Sequence, residues 1–458
     1  MGQAPRRERW TATGCGASQG RGWGLVGRRQ VLDFDIGTSG QADVPVRTVR
    51  GDVAASGPAT VLVRLHGSPL AQVELDLPPT LDSGTLRAAL EPRVAEQVAD
   101  HEAADRLAGA GAAGEVACAA WLSLPQPPPV VTVVVPTVGR EELAACLESL
   151  LAQDYDDFEI VVVDNAPSTA ARELLDRVLE GVPDPAHRLR RVVEPTPGAS
   201  YARNRGLGAA SGSIVAFVDD DVLVDRRWLR ATVAAFDFVP GVAAVTGLVL
   251  PWELETREQL WFVQYGGFGK GFSRRAFDLT EHRGEHFLYP YLPGHYGTGA
   301  NSAFRTEFLR QLGGFDPALG MRRPVVGGED IDVLLRTVLS GAVLVYEPQA
   351  LLWYQPYRDY RALQRQMTIY GRGLAAVVLK AALADRAVAG DVARRVPAGL
   401  RFLLDPRSGK NSGKRDFPTD LTLRELAGVL SGPFTYAWAR VLDRQTERSA
   451  SEREAAAP

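Results

Sequence analysis

Three consecutive carboxylates directly follow an apolar strand in the segment AFVDDDVLVD, residues 216–225. Asp219, Asp220 and Asp221 repel one another, and the strand before them predicts that they are partly buried. Charges that leave water without partners are costly, so the pattern predicts a cation at this position. Carboxylate oxygens are ligands that divalent metal ions bind readily. Taken alone, an acidic run of this kind is more often a solvated turn.

Two further predicted strands also end in polar residues. One ends at Pro136 and Thr137, and the next ends at Asp164 and Asn165. The carboxyl ends of parallel strands meet at one edge of an open α/β sheet, where such sheets bind ligands. We therefore expect these residues to lie beside the three aspartates.

Carboxylates on adjacent loops at this edge favour a nucleotide as the ligand. Asp164 is suited to accept hydrogen bonds from a base, and Asp219 from ribose hydroxyls. Asp221, together with Asp219, can hold Mn²⁺ or Mg²⁺, because both ions accept carboxylate and phosphate oxygens in one coordination shell. A diphosphate would complete that shell.

The elements that must position these residues alternate between strands and helices. Apolar runs predict strands at 130–136, 158–164, 190–194 and 213–219, and amphipathic stretches predict helices at 141–153, 168–180 and 199–211. Uninterrupted apolar runs are typical of strands that are buried on both faces. The alternation predicts an α/β fold with an open, doubly wound, mostly parallel sheet.

Some nucleotide-binding folds are disfavoured by the motifs. The sequence contains no GxxxxGK[ST] pattern, and no GxGxxG follows the first long strand, which argues against a P-loop NTPase and a dinucleotide fold. A nucleotidyltransferase would need a glycine-rich loop with a basic residue after that strand, and Thr137-Val138-Gly139-Arg140 matches this poorly. A protein that binds sugar nucleotides or carbohydrates without catalysis stays an alternative.

Five stretches between Val130 and about Lys380 carry a resemblance: VVPTVGREELAACLESLLAQDY, IVVVDNAPS, EPTPGASYARNRGLGAASGSIVAFVDDDV, YGTGANSAFRTEFLRQLGGFD and GGEDIDVLLR. In this order they resemble the family 2 glycosyltransferases, which are inverting nucleotide-sugar enzymes of the A-type fold. The resemblance implies base contact by Asp164, ribose contact by Asp219, and metal–diphosphate contact by Asp221. It also implies a setting such as the synthesis of cell-envelope polysaccharide. The residues predicted to bind the nucleotide sugar are Pro136, Thr137, Asp164, Asn165, Arg203, Asp219, Asp220, Asn301 and Arg305.

The segment GGEDIDVLLR, residues 327–336, supplies the predicted catalytic base. Inverting transfer needs a group that takes the proton from the acceptor hydroxyl, and a carboxylate at a helix start is suited to this. The resemblance assigns that role to Asp330. Glu329 would hold a substrate hydroxyl or tune its neighbour, and Asp332 is predicted to lie on the helix surface. Capping of the helix dipole explains Asp330 equally well when it is considered alone.

The chain departs from the family pattern near residue 354, and it also lacks a pattern of processive enzymes. Related sequences carry a histidine after the strand that follows the catalytic helix, whereas this chain has LLWYQPYRDY at 351–360, where Arg358 is available for phosphate. The segment LQRQMTIYGRG at 363–373 lacks the QxxRW pattern of processive synthases. We therefore expect transfer of a single sugar, to an acceptor that is lipid-linked or a small molecule.

Composition sets the broad class of the protein. The 458 residues carry a net charge of −4 and three scattered cysteines, which gives no reason to expect nucleic acid, a disulfide framework or a zinc-binding cysteine motif. No apolar run reaches the roughly 20 residues of a membrane span. The expected location is the cytoplasm, at the inner face of the membrane, which a basic, amphipathic C-terminal region can contact.

Shifts in composition divide the chain into five predicted parts. We expect a disordered N-terminus at 1–30, a small β-rich α+β accessory domain at 31–122 and a proline-rich linker at 123–129. The accessory domain should contain a hairpin within 60–77 and a helix over 82–108. The catalytic domain then spans 130–384, and a helical, basic extension with a disordered tail spans 385–458.

Overall fold

The computed structural model describes residues 28–37, 46–107, 124–320, 324–405, 407–411 and 417–455. The predictions for the first 27 residues fall outside these ranges. The described parts form an N-terminal sheet with two helices, a large central sheet covered by helices, and three long C-terminal helices. The predicted α/β class is confirmed.

The N-terminal part is a three-stranded sheet with two helices. Its strands are β1 (Gln30–Asp35), β2 (Gly57–Leu65) and β3 (Ser68–Leu77), and its helices are α1 (Ser83–Leu90) and α2 (Ala95–Leu107). Strands β2 and β3 form the predicted antiparallel hairpin, which turns at His66 and Gly67. The single helix predicted over 82–108 is interrupted by a 3₁₀ turn at Glu91–Arg93. Pro92 explains the break, because a proline in a helix interior removes a hydrogen bond and clashes with the preceding turn.

The central sheet contains nine strands in the order β10-β12-β9-β11-β7-β4-β5-β6, with β8 also paired to β12. Six strands run in one direction, whereas β8, β10 and β11 run against them. The sheet is therefore mostly parallel, as predicted. Its strands are β4 (Val131–Thr137), β5 (Phe158–Asp164), β6 (Leu189–Val193), β7 (Ile214–Val218), β8 (Val222–Val224), β9 (Val242–Pro251), β10 (Arg275–Phe277), β11 (Asn301–Arg305) and β12 (Val343–Tyr354).

Helices cover both faces of this sheet, which explains why its strands are apolar throughout. All five residues of β7 and all ten of β9 are buried, so neither strand needs a polar face. The helices are α3 (Leu143–Leu151), α4 (Thr169–Gly181), α5 (Ala199–Ala209), α6 (Trp228–Ala235), α7 (Arg257–Tyr265), α8 (Thr306–Gln311) and α9 (Glu329–Leu339).

The C-terminal part consists of α10 (Tyr360–Ala384), α11 (Arg386–Leu404) and α12 (Thr419–Ala455). Helices α10 and α12 approach closely at glycines: a Cβ on Gly371 would lie 2.0 Å from the Glu425 carbonyl oxygen, and one on Gly428 would lie 2.2 Å from the Thr368 carbonyl oxygen. Helix α12 continues to Ala455, through residues for which the sequence predicts disorder. Alanine, glutamate and arginine are frequent there, and all three are strong helix formers.

One helix in the described part of the chain, α10, is long and apolar enough to cross a membrane by length and composition, although the sequence analysis expects no such segment. Its contacts tie it to the part of the chain that contains the central sheet. Lys380 forms ion pairs with Asp316 and Asp332, and Arg372 donates a hydrogen bond to the Val325 carbonyl. These contacts belong to a helix that packs on one face against a folded domain.

Candidate active site

The three aspartates after β7 divide into one buried and two accessible side chains. Asp220 points inward, where its carboxylate accepts a hydrogen bond of 2.6 Å from the Thr137 hydroxyl at the end of β4. The side chains of Asp219 and Asp221 are 40% and 43% exposed. The two outer carboxylates thus remain available to a ligand, whereas Asp220 ties two strand ends together.

Two arginines of the chain itself partly neutralise this cluster. Arg203, buried on α5, donates to Asp219 at 3.0 Å and to Glu329 at 2.7 Å. Arg140, in the loop after β4, donates to Asp221 at 2.6 Å. The sequence analysis expected the positive charge to come from a metal ion bound together with a diphosphate, so that expectation is incomplete: these two arginines also supply part of it.

Negative charge nevertheless remains in excess around Asp221. Burial, and then the charges of Asp219 and Asp220, raise the pKa of Asp221 to about 6, although Arg140 acts in the opposite direction. Burial also raises the pKa of Asp220. A further cation near Asp221 would therefore be favourable. The two accessible carboxylates are hard oxygen ligands of the kind that Mn²⁺ and Mg²⁺ prefer, so the residues present fit such an ion.

Helix α9, which carries the predicted catalytic pair, begins directly after two glycines with left-handed backbone, Gly327 (φ 79°) and Gly328 (φ 91°). This turn brings Glu329 and Asp330 to the sheet edge. The Asp330 carboxylate accepts a hydrogen bond of 2.9 Å from the backbone N–H of Gly299. A Cβ at Gly299 would lie 2.3 Å from the Cβ of Asp330, so the close approach requires glycine there.

Arg203 connects the aspartates after β7 with the carboxylates at the start of α9. Burial opposes its charge, but the carboxylates of Asp219, Glu329 and Asp330 outweigh that effect and raise the pKa of Arg203. Its Nε–H is buried and has no hydrogen-bond partner among the described residues. Arg203 thereby brings the predicted metal ligand Asp219 close to the predicted catalytic pair, Glu329 and Asp330. In the sequence, only the resemblance indicated that these residues belong to one site.

Asp164, predicted to contact a base, is buried and already paired. Its carboxylate accepts a hydrogen bond of 2.5 Å from Arg191 on β6 and another of 2.9 Å from the backbone N–H of Ala166. Arg191 also bonds Asp176 on α4. The sequence analysis missed Arg191. Its position on the predicted strand at 190–194, which follows β5, was the feature of the sequence that could have indicated it.

Asn165 and Pro136 support the site rather than face it. The Asn165 side chain donates to the carbonyls of Glu194 and Thr196 at 2.8 Å each, and it accepts from the Gly198 N–H at 2.9 Å. It therefore fixes the loop that starts α5. Pro136 is partly buried within β4, opposite Val163.

Two predicted donor contacts on β11 are wrong. Asn301 is 2% exposed, and its amide bonds the carbonyls of Leu248 and Ala350 and the indole of Trp228. Arg305 pairs in register with Ile214 at the start of β7, whereas Asn301 pairs with Val218 at its end. Because four residues of strand span about 13 Å, Arg305 lies at the opposite edge of the sheet.

Two further expectations need correction. Asp332 is not on the helix surface: it is 2% exposed and forms ion pairs with Arg336 and Lys380. Helix α10 covers this face of α9, which the periodicity of α9 alone cannot reveal. Arg358 is not left for phosphate either, because it bonds both carboxylate oxygens of Glu253.

Tyr357 lies beside the acidic cluster, in the segment where the family pattern has a histidine. Burial, and then the charges of Asp221 and Asp219, raise the pKa of its hydroxyl to about 12. Its ring packs edge-on against Phe262 at 5.9 Å between centroids. A phenol that stays protonated is a hydrogen-bond donor at neutral pH, whereas a neutral histidine is also a metal ligand.

Comparisons with known proteins agree with the sequence resemblance. Residues 132–313 match the family described as Glycosyl transferase family 2. The glucosyl-dolichyl phosphate glucuronosyltransferase of Haloferax volcanii is 28% identical over 236 residues, which are 50% of this chain and 70% of that protein. The pre-mycofactocin glycosyltransferase of Mycobacterium tuberculosis is 29% identical over 184 residues, 40% of this chain and 35% of that protein. The chain thus spans most of the first relative's length but far less than two thirds of the second's.

Solved structures give a more distant likeness. A mannosyltransferase from Pyrobaculum calidifontis, in complex with GDP-Man and Mn²⁺, has a TM-score of 0.43 at 20% identity, with 66% of this chain and 87% of that chain covered.

Proposed function

Since this chain is a glycosyltransferase with a family 2 domain at residues 132–313, we propose that it moves one sugar from a nucleotide-diphospho-sugar to an acceptor hydroxyl with inversion. The observation that carries the proposal is the bridge made by Arg203. This guanidinium links Asp219, on the predicted donor side, to Glu329, next to the predicted base.

The donor is held at the carboxyl edge of the central sheet. Asp164 at the end of β5 and Asp219 directly after β7 provide carboxylates at this edge. A hydrogen bond from Arg191 keeps the Asp164 carboxylate in its orientation. Asp219 and Asp221 would hold Mn²⁺ or Mg²⁺. When bound, the ion would stabilise the negative charge of the departing diphosphate. Arg203 contributes a permanent cation from the protein side.

Asp330 takes the proton of the acceptor hydroxyl as the acceptor oxygen bonds the anomeric carbon and the bond from that carbon to the diphosphate oxygen breaks. The hydrogen bond from the Gly299 N–H holds the Asp330 carboxylate in place at the start of α9. Glu329 balances the charge of Arg203, and this ion pair keeps both side chains in position. The pair of glycines before α9 gives the helix start its direction.

The test compares transfer and donor binding in one variant. Asp330→Asn keeps the shape of the side chain but removes the base, so we expect turnover to fall by about 10²-fold or more while nucleotide-sugar binding is retained. Glu307→Gln is the control, because Glu307, like Asp330, is an acidic residue in the first turn of a helix, but it is exposed and lies on α8. Full turnover in Asp330→Asn would refute the assignment of the base.

The acceptor side favours a lipid surface. The Haloferax relative is named for a dolichyl phosphate substrate, which is lipid-linked. Helix α12 carries a stripe of exposed apolar side chains: Leu423, Leu430, Phe434, Trp438 and Val441, which are 52% to 79% exposed. Their spacing of three, four and seven residues places them on one face of the helix.

The charges near this stripe have the sign that an anionic membrane attracts. Arg424 and Arg444 are exposed, whereas the acidic residues Glu425 and Asp443 are buried and paired with Tyr265 and Tyr201. We therefore propose that the enzyme rests peripherally on the cytoplasmic face of a membrane through α12. An apolar face flanked by arginines is the pattern of a helix that lies in the membrane interface.

A further inference from the structure

Two histidines and one aspartate meet in the N-terminal part, away from the predicted active-site residues in the chain. His66 lies in the β2–β3 turn, and His101 and Asp105 lie one turn apart on α2. The Nε2 of His101 lies 3.3 Å from the Asp105 carboxylate, and the Nδ1 of His66 lies 3.7 Å from the same oxygen. One ligand atom from each of the three residues lies within 4.8 Å of the other two.

The separations of 3.3 Å and 3.7 Å are close to those expected around a single transition-metal ion. Zn²⁺ binds imidazole nitrogen and carboxylate oxygen at about 2.0–2.2 Å, so two tetrahedral ligand atoms lie roughly 3.3 Å apart. The i,i+4 spacing of His101 and Asp105 puts both on one face of α2, and the hairpin turn brings His66 to that face. The side chains of His66, His101 and Asp105 are 16%, 13% and 11% exposed, so bulk water is largely excluded.

The backbone of the β2–β3 turn and its contacts with Arg227 hold His66 in this position. His66 has φ 53°, in the left-handed region that a residue with a side chain seldom adopts. Arg227, which directly precedes α6, donates a hydrogen bond of 2.8 Å to the His66 carbonyl. A Cβ on Gly67 would lie 2.2 Å from the Arg227 guanidinium, so the close approach depends on glycine.

We propose that His66, His101 and Asp105 form a binding site for one divalent transition-metal ion of the zinc type. Two imidazoles and one carboxylate suit Zn²⁺, whereas Mg²⁺ and Mn²⁺ prefer shells made mostly of oxygen. The site is separate from the aspartates after β7, and it does not rest on the proposed transfer reaction.

Bound metal would fasten α2 to the β2–β3 hairpin, which in turn contacts the segment after β8. Arg64 on β2 forms an ion pair of 2.7 Å with Asp225, and Asp225 follows Asp221 by four residues. Arg227, two residues after Asp225, also contacts the hairpin through its hydrogen bond to the His66 carbonyl. The ion would therefore stabilise the N-terminal part and the support beneath the acidic loop together.

The experiment uses the full chain after removal of metal by a chelator, with Zn²⁺ alone as the probe and no nucleotide present. Calorimetric titration should give one tight Zn²⁺ site per chain, and Co²⁺ should show the visible absorption of a tetrahedral complex. Zinc should also raise the melting temperature of the wild-type chain, since a ligand that binds only the folded state stabilises it.

Two variants and two controls make the result decisive. His101→Ala and His66→Asn should each weaken Zn²⁺ binding by at least about 100-fold and abolish the zinc-dependent rise in melting temperature. Asparagine tolerates the left-handed backbone at position 66, so that variant should still fold. His187→Asn is matched to it, because His187 is exposed and has φ 52°.

The second control, Asp221→Ala, should leave the zinc site intact. If wild-type protein takes up no Zn²⁺, or if His101→Ala and His66→Asn bind it as tightly as wild type, the proposal is wrong. Loss of zinc binding in Asp221→Ala would likewise overturn it, because the ion would then belong to the acidic loop.

Discussion

Arg140 occupies the position next to Asp221 that the sequence analysis reserved for a metal ion. Its guanidinium donates to Asp221 at 2.6 Å, and both side chains are close to half exposed. An incoming dication would therefore compete with Arg140 for this carboxylate. Once released, Arg140 would remain close enough to face the diphosphate, and arginine recognises phosphate oxygens well.

This competition gives the first prediction. Arg140→Met removes the guanidinium, so Asp221 should bind Mn²⁺ about two- to fivefold more tightly in the absence of nucleotide, a change of the size typical of exposed ion pairs. Titration of Mn²⁺ followed by electron paramagnetic resonance measures the free ion directly. Weaker Mn²⁺ binding in Arg140→Met would show that Arg140 supports the metal site instead of competing for it.

Gly299 gives a second prediction at the scale of single residues. A Cβ at this position would lie 2.3 Å from the Cβ of Asp330, so Gly299→Ala must move the proposed base. A displacement of about 1 Å can reduce turnover by roughly 10²-fold, and we expect that loss in kcat with little change in KM for the donor. Steady-state kinetics with both substrates varied measures the two effects.

The control for this variant is Gly208→Ala on α5, where an added Cβ meets no heavy atom within 4 Å. It should retain wild-type kcat. Equal kcat values for Gly299→Ala and Gly208→Ala would mean that the contact between Gly299 and Asp330 does not position the base.

At the scale of elements, Glu253 connects three segments around the site. It accepts hydrogen bonds from Arg358 after β12, from Gln259 on α7 and from Arg50 in the N-terminal part. Arg358 directly follows Tyr357 in the chain, so the network also holds the segment that brings Tyr357 beside the acidic cluster. Burial opposes the charge of Glu253, but these hydrogen bonds outweigh it and lower its pKa to about 2.

The lowered pKa predicts a dependence of stability on pH. A carboxyl whose pKa falls on folding stabilises the protein above its unfolded pKa of roughly 4.5, and this contribution is lost as the pH falls from there towards 2. Glu253→Gln should therefore reduce the free energy of unfolding by about 3 kcal/mol at pH 6, with a difference that shrinks below pH 4.5. Melting temperatures measured between pH 3 and 7 test this.

Glu141→Gln, at an exposed position before α3, serves as the matched substitution. Its melting temperature should follow that of the wild type at every pH. A constant difference between Glu253→Gln and wild type from pH 3 to 7 would contradict the assigned charge of Glu253.

The sequence predicted the elements that carry the site better than the contacts within it. Strands β4, β5 and β7 follow from uninterrupted apolar runs, and their polar ends meet at one edge because the strands are parallel. The partners Arg140, Arg191 and Arg203 come from other elements, and their pairing with particular carboxylates depends on packing. The error at Arg305 has the same origin, since the direction of β11 in the sheet is not encoded in its own residues.

At the scale of the whole molecule, α12 presents an apolar stripe on the outside of the α10–α12 pair. The glycine contacts between the two helices hold α12 with that stripe outward. Trp438 and Phe434 are 60% and 79% exposed, which is unusual for two large aromatic side chains on one helix face. Membrane contact would cover them.

This arrangement predicts binding to lipid vesicles. The double variant Phe434→Ser with Trp438→Ser should reduce the partition coefficient on vesicles that contain anionic phospholipid by at least about tenfold, because each ring contributes apolar area. Sedimentation with vesicles measures the bound fraction, and Val53→Ser, at an exposed apolar residue of the N-terminal part, is the control. Unchanged partitioning of the double variant would place any membrane contact elsewhere.

The central proposal is that the acidic edge of the sheet binds a sugar nucleotide together with a divalent ion. Calorimetric titration of UDP-, GDP- and dTDP-sugars, with and without Mn²⁺, tests it most directly in wild type and in Asp221→Ala. The account predicts that at least one donor binds the wild type only when Mn²⁺ is present, and that Asp221→Ala loses most of that binding. Sugar-nucleotide binding that is independent of Mn²⁺ and is unchanged in Asp221→Ala would contradict it.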